Sequence, residues 1–219
     1  MLFFICVGCV CLYLIITLSG SAKLRKSGQT SGGFRNFVAQ KRKQMEKKTI
    51  LDMGRDTVEG YRRKKKISLV VVLDNIRSLN NIGSVFRTSD AFRVERLALC
   101  GITATPPSVE IHKTALGAED SVAWSYHAST ADAVRELQAE GYKVCALELV
   151  KGAVSLEEFP VERDGKYAIV AGHEVDGVAQ EVVDLCDGCI EIPQEGTKHS
   201  LNVAVSTALA IWHFYLGLR

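Results

Sequence analysis

The chain has 219 residues, a formal net charge of +2 and 47% hydrophobic residues; this suits one globular domain with an appendage and excludes disorder of the whole chain, because so apolar a sequence can bury a core. The near-neutral total conceals a division: residues 1–20 carry no charged side chain, residues 21–66 carry 15 Lys and Arg against 4 Asp and Glu, and residues 67–219 carry 12 against 21. A uniformly charged surface is thereby excluded, and the pattern is that of a basic arm joined to an acidic body, an arrangement suited to contact with nucleic acid or anionic lipid.

Met1 to Leu18 is apolar apart from Gly8 and Thr17, close to the roughly 20 residues that span a bilayer as a helix. The segment reads either as a marginal membrane anchor or as an extension upstream of a true start at Met45 or Met53. A secretory signal would carry positive charge before the apolar run. Here Lys23, Arg25 and Lys26 follow it, which keeps the body cytoplasmic even if the segment inserts. Residues 21–66 form the basic arm, flexible around Ser27 to Gly33, with a short helix expected near Lys41–Tyr61 and a final run Arg62-Arg-Lys-Lys-Lys66. Contact with RNA or DNA phosphates and a solvated linker are equally good readings of that charge.

From Ile67 onward strands alternate with helical segments, so residues 67–219 are expected to form an α/β domain with a mostly parallel sheet and helices on both faces. Ile67-Ser-Leu-Val-Val-Val-Leu-Asp74 is a β-branched run that suits a strand covered on both sides. A helix is expected at Asn81–Phe92 and a strand at Leu97–Gly101, followed by a Pro106-Pro107 loop. Further strands are expected near Val122–Tyr126, Tyr142–Leu147, Tyr167–Ala171 and Cys189–Ile192, with helices at Thr130–Glu140, Val178–Cys186 and Ser200–Leu216. Three loops fall where open α/β sheets collect ligands, at strand-to-helix junctions: Asp74 to Gly83, Ala171 to Gly177 and Ile192 to Asn202. Gly172, Gly177 and Gly196 in them would let backbone approach a ligand.

Neither a GxxxxGK[ST] loop nor a GxGxxG after the first strand is present, which removes the commonest nucleotide-binding readings. Ser200 lacks a GxSxG elbow, so a serine hydrolase is poorly supported. Cys186 and Cys189 form a single CxxC without a second pair, and structural cysteines are the better reading than a metal or redox site.

Asn81-Ile-Gly83 with Phe86-Arg87-Thr88-Ser89-Asp90-Ala91-Phe92, then Gly172-His-Glu174-Val-Asp-Gly177, then Ile192-Pro193 and Ser200-Leu201-Asn202-Val203, together resemble the three ordered motifs of the SpoU/TrmH family of RNA 2′-O-ribose methyltransferases. The match runs over residues 67–216, and the three motifs in order are far more specific than any one of them. The resemblance implies an α/β domain whose C-terminal part forms a deep trefoil knot, binding S-adenosylmethionine, as a homodimer acting on tRNA or rRNA. It assigns the cofactor to backbone at Gly172, Ile192 and Leu201, with Glu191, Gln194 and Gly196 nearby. It makes Arg87 the general base or a phosphate-coupled activator, with Asn81 and Glu174 supporting it and Ser200 and Asn202 holding substrate and cofactor loops. An arginine is ordinarily locked in its charged form, so positioning of phosphate or ribose is the role that residue type supports best. Each assignment has a plainer rival: Arg87 pairing with Asp90 or Asp74, Glu174 capping the following helix, Ser200 as N-cap of the last helix. A knotted RNA-binding module without turnover is the alternative to an enzyme. His173 departs from the smaller polar residue common in that slot and receives no catalytic role, and His112-Lys113 read equally well as RNA-facing or as a surface helix end.

Overall fold

Every residue of the run Ile67–Asp74 except Ser68 is buried, and the run forms the first strand, β1, as a β-branched segment covered on both faces should. The computed structural model of the chain describes residues 46–49, 52, 54, 56–198 and 200–219. The apolar segment of residues 1–20, the arm over residues 21–45 and His199 lie outside the described residues. The chain divides into two units, Met1–Arg55 and Asp56–Arg219; the second carries the sheet.

That unit begins eleven residues before β1, because helix α1 (Val58–Arg63), capped by the Thr57 hydroxyl on Gly60 N, buries Tyr61 in the core. After β1 come α2 (Leu79–Ala91), β2 (Val94–Cys100), α3 (Val109–Ala115), α4 (Ala118–Ser121), β3 (Ala123–His127) and α5 (Thr130–Ala139). β4 (Lys143–Leu147), β5 (Val154–Ser155), β6 (Tyr167–Ala171), α6 (Gln180–Leu185), β7 (Gly188–Glu191) and α7 (Val203–Leu218) complete the unit. The seven strands are ordered β3-β2-β1-β6-β4-β7-β5, and every pairing is parallel.

Alternate residues of β1 face opposite layers. Leu69, Val71 and Leu73 pack with residues of α2, α3 and α7, whereas Val70 and Val72 pack with Ala133, Val134 and Leu137 of α5 and Val182 of α6. The expected helices on both faces are therefore present. Helix ends differ from expectation where a cap decides them: Ser78 accepts from Asn81 N and starts α2 two residues early. Likewise Asn202, not Ser200, caps α7, accepting from Ala204 N and Val205 N. The segment around His112-Lys113 is the helix α3, and both side chains are paired, His112 with Glu119 and Lys113 with Glu110.

α2 crosses α3 at Gly83, where a Cβ would overlap Thr114 Oγ1 and Ile111 O. α2 and α7 run side by side in the same direction. Asn81 meets Asn202 near their first turns, and Phe92 packs on Trp212 and Tyr215 toward their ends. Cys100, Cys145, Cys186 and Cys189 are free thiols, and burial pushes the first three up to about 12, which leaves them neutral and unreactive near pH 7. No helix of the described residues is long and apolar enough to cross a membrane.

Candidate active site

Because β6, β4 and β7 are neighbours in the sheet, the loops that leave their carboxyl ends converge with the start of α7 around a pocket of about 300 Å3, at the lower end of the range for small-ligand sites. Gly172, Glu174, Ile192, Gln194, Ser200 and Leu201, all singled out in the sequence, line it. Gly196 and Arg87 do not. A fourth wall, Leu147 to Leu149 at the end of β4, was invisible in the sequence, since it has neither the glycines nor the polar cluster that mark the other loops.

The loop after β6 is closed on itself. His173 N donates to Gly177 O at 3.0 Å and Gly177 N to His173 O at 2.9 Å, and His173 Nδ1 accepts from Val175 N and Asp176 N at 3.3 and 3.2 Å. This ring leaves no space at Gly172, where a Cβ would overlap the backbone of Gly177 and Val178. From the fourth wall, Glu148 holds the loop's exit, accepting from Val178 N at 2.8 Å and Leu149 N at 2.9 Å.

Glu174 points out of the ring toward the start of α2. Its Oε2 accepts from Arg77 N at 3.0 Å, and its Oε1 accepts from Ser78 N at 2.9 Å and from Asn81 Nδ2 at 3.0 Å. Asn81 Oδ1 in turn accepts from Asn202 Nδ2 at 3.1 Å. One hydrogen-bonded chain thus joins all three sequence motifs. It makes Glu174 the holder of Asn81 and of the α2 entry, not a cap on the helix that follows it. Partial burial by itself raises the Glu174 carboxyl, but the two backbone donors and Asn81 outweigh it and hold the group below the ordinary carboxylate value.

A lowered pKa means that Glu174 stabilises the fold above its unfolded value of about 4.3 and that this contribution is lost as pH falls through the lower folded value. Glu174→Gln, which turns an amide NH2 toward one of these donors, is expected to cost about 1–3 kcal/mol at pH 7. The gap from wild type should narrow in urea titrations below about pH 4.3; a gap independent of pH would mean that the charge is not what matters.

Arg87 is exposed on α2, six residues or about 9 Å along the axis from Asn81. Among the described residues it makes no hydrogen bond or ion pair. Asp90 accepts from the Ser121 hydroxyl at 2.6 Å, and buried Asp74 accepts from Thr130 and Asn75, so the surface pairs that would have explained Arg87 do not form. Ser200 is exposed at the pocket. Glu148, Glu174, Asp176 and Glu191 all line the pocket, an acidic surround that suits a cationic ligand.

The profile of the SpoU rRNA Methylase family matches residues 68–212. A tRNA (guanosine(18)-2′-O)-methyltransferase of Thermus thermophilus is 30% identical over 158 residues, 72% of this chain and 79% of that protein. The 23S rRNA (guanosine-2′-O-)-methyltransferase RlmB of Xanthomonas axonopodis is 28% identical over 66% of this chain and 57% of its own length. Among solved structures, an AdoMet-bound rRNA methyltransferase from Sinorhizobium meliloti aligns with a TM-score of 0.65 and 26% identity over 74% of this chain and 60% of that one. The chain spans about three fifths of the length of several of these relatives.

Proposed function

The chain belongs to the SpoU rRNA methylase family, and from that membership we propose that it transfers the methyl group of S-adenosylmethionine to a ribose 2′-hydroxyl of structured RNA, tRNA or rRNA. The observation that carries this reading is the unbroken polar chain Glu174–Asn81–Asn202 beside the pocket. A binding module without turnover would keep these bonds for stability alone, and the transfer assay below separates the two readings.

The acidic lining of the pocket suits the cofactor's sulfonium charge, and the backbone at Gly172, Ile192 and Leu201 is the surface that would hold it, with Gln194 beside them and Gly196 further along the same loop. When bound, S-adenosylmethionine supplies an electrophilic methyl group next to a positive sulfur, which the surrounding carboxylates favour. A ribose 2′-hydroxyl is a poor nucleophile, so the protein must hold it in line and ease the loss of its proton. Glu174 has three of its about four acceptor positions filled by protein donors, so its part is to fix Asn81 and the α2 entry. Ser200, exposed at the pocket, is free to contact substrate. Arg87 is assigned to the phosphate or ribose of the target nucleotide.

Arg87 stands away from its own pocket, and the site is therefore read as completed in a homodimer. Val205, Leu209, Trp212 and Leu216 are 50%, 43%, 45% and 43% exposed. They recur along one face of α7 at the spacing that a partner helix covers, and the pairing of Asn81 with Asn202 and of Phe92 with Trp212 sets Arg87 level with the Val205–Leu209 part of this stripe. The passage from β7 to α7 is proposed to be threaded as a trefoil knot. That reading is supported by α7 packing beneath β1 and β6 after the chain has left β7, two strands away from β6. A cytoplasmic location follows from the RNA substrate and suits four free thiols. The purified chain is expected to transfer labelled methyl groups from S-adenosylmethionine to total tRNA or rRNA. Intact cofactor binding with no transfer to either would instead favour the silent RNA-binding module.

A further inference from the structure

All strands are parallel, so the sheet has two unlike edges. The pocket occupies the carboxyl edge, and the amino edge collects cations. Arg93 immediately precedes β2, Lys65 lies two residues before β1, Lys166 immediately precedes β6, and Lys143 opens β4. These are adjacent strands in the order β2-β1-β6-β4, and their register sets Ile67 beside Val94, Leu69 beside Tyr167 and Tyr167 beside Lys143. Ladder bonds fix the row: Ile67 N donates to Arg93 O at 2.9 Å and Lys143 N to Lys166 O at 2.8 Å. At about 4.8 Å per strand the four strands are roughly 14 Å across, and the register sets Lys65 three residues, roughly 10 Å, further toward the amino side than Lys166. Lys65, Lys143 and Lys166 are exposed.

Several nearby carboxylates are already engaged, although Glu162 and Asp164, just before Lys166, are exposed and pair with no cation among the described residues. Glu95 and Glu140 pair with Arg96 at 3.2 and 2.5 Å, and Asp56 pairs with Lys64, whereas Lys65, Lys143 and Lys166 have no carboxylate partner among the described residues. Next to β2, on the edge strand β3 and level with Leu97, Trp124 is 37% exposed in a groove shared with Arg62 and Lys66 and with Glu95 and Glu119. Lys166 Nζ donates to Glu140 O at 3.3 Å and Lys143 Nζ lies 5.4 Å from the Phe159 ring, contacts that leave both charges without a carboxylate; exposed lysines of this kind, with an exposed indole two to four strands away on an otherwise acidic body, suit a phosphate chain with stackable bases. An anionic lipid surface would draw on the same lysines and indole; the RNA substrate proposed above favours RNA as the occupant, and vesicle binding is the other arm of the test.

We infer that the amino edge of the sheet is an RNA-binding ridge, Lys65, Lys166 and Lys143 contacting phosphates and Trp124 stacking on a base, remote from the methyl-transfer site. The inference rests on the RNA-substrate reading above. Lys166 and Gly172 bracket the five residues of β6, so ridge and pocket of one copy stand about 20 Å apart. The ridge therefore acts on RNA affinity and not on the reacting atoms.

The test uses the full chain and fluorescently labelled tRNA, titrated between 50 and 200 mM salt. In the triple variant Lys65→Gln/Lys143→Gln/Lys166→Gln the slope of log affinity against log salt is expected to fall by about 2–3, since each lost phosphate contact removes roughly 0.7–0.9. Trp124→Ala is expected to weaken binding about fivefold or more with the slope unchanged, because stacking releases no counterions. Cofactor affinity and melting temperature of both variants should match wild type. An unaltered slope in the triple variant overturns the proposal. So does loss of binding to phosphatidylserine vesicles in that variant with its tRNA slope intact, which assigns the ridge to lipid. Wild-type protein that shows the slope change between variants yet transfers no methyl group to any RNA sinks the proposed activity and leaves the ridge standing. Transfer with an unchanged slope does the reverse.

Discussion

Arg87→Ala is expected to lower methyl transfer by about a hundredfold or more, the cost of removing one charged group that positions or stabilises a reacting centre, while leaving S-adenosylmethionine affinity essentially unchanged. The second half follows from the geometry. Arg87 is exposed, lies outside the pocket lining and lacks any ion-pair partner among the described residues, so truncating it takes nothing from the fold or from the cofactor wall. Arg87→Lys keeps the charge but loses the planar fork that grips phosphate at two points, and should recover only part of the rate. Isothermal titration with the cofactor and single-turnover transfer to tRNA separate the two effects. A large loss of cofactor affinity in Arg87→Ala would give the residue a cofactor role; wild-type transfer would remove it from the site.

Gly172→Ala is expected to do the opposite, damaging the cofactor site first. The new methyl group would collide with backbone atoms of Gly177 and Val178, which cannot swing aside as a side-chain end could. Relief requires opening the His173–Gly177 ring or shifting the Val178 amide from Glu148. Overpacking of this kind costs about 1–3 kcal/mol. If the distorted loop must be restored on binding, that is a loss in cofactor affinity of roughly 5- to 150-fold. Gly196→Ala is the matched control: a Cβ there meets nothing within 4 Å, and its affinity should stay at wild type. Equal behaviour of the two variants would mean that the loop after β6 is not a wall of the cofactor site.

Local chemistry determined most of the strands, the longer helices and the three motif loops, but not the short helices Val58–Arg63 and Ala118–Ser121 or the strand Val154–Ser155. The β-branched run Ile67–Asp74 and the strand Tyr167–Ala171 were readable because a strand buried on both faces must be apolar throughout. The loops were readable because close backbone approach selects glycine, as at Gly172, and because polar clusters follow apolar strands; the caps Ser78 and Asn202, which moved both helix starts, were not. Ser200 against Asn202 as the cap of α7 is a choice between two suitable residues two positions apart, and only the built helix decides it.

Tertiary structure decided what depends on the order of strands. β4 lies between β6 and β7, and this alone brings Glu148 to the pocket, from a segment with no local signal. The same pairing draws Arg93, Lys65, Lys166 and Lys143, far apart in the chain, into one row at the other edge of the sheet, while Arg87 stands on α2 clear of the pocket beside which Asn81 and Glu174 are joined. Strand order and register follow from burying both faces of the sheet at once, a long-range condition that no stretch of a dozen residues records.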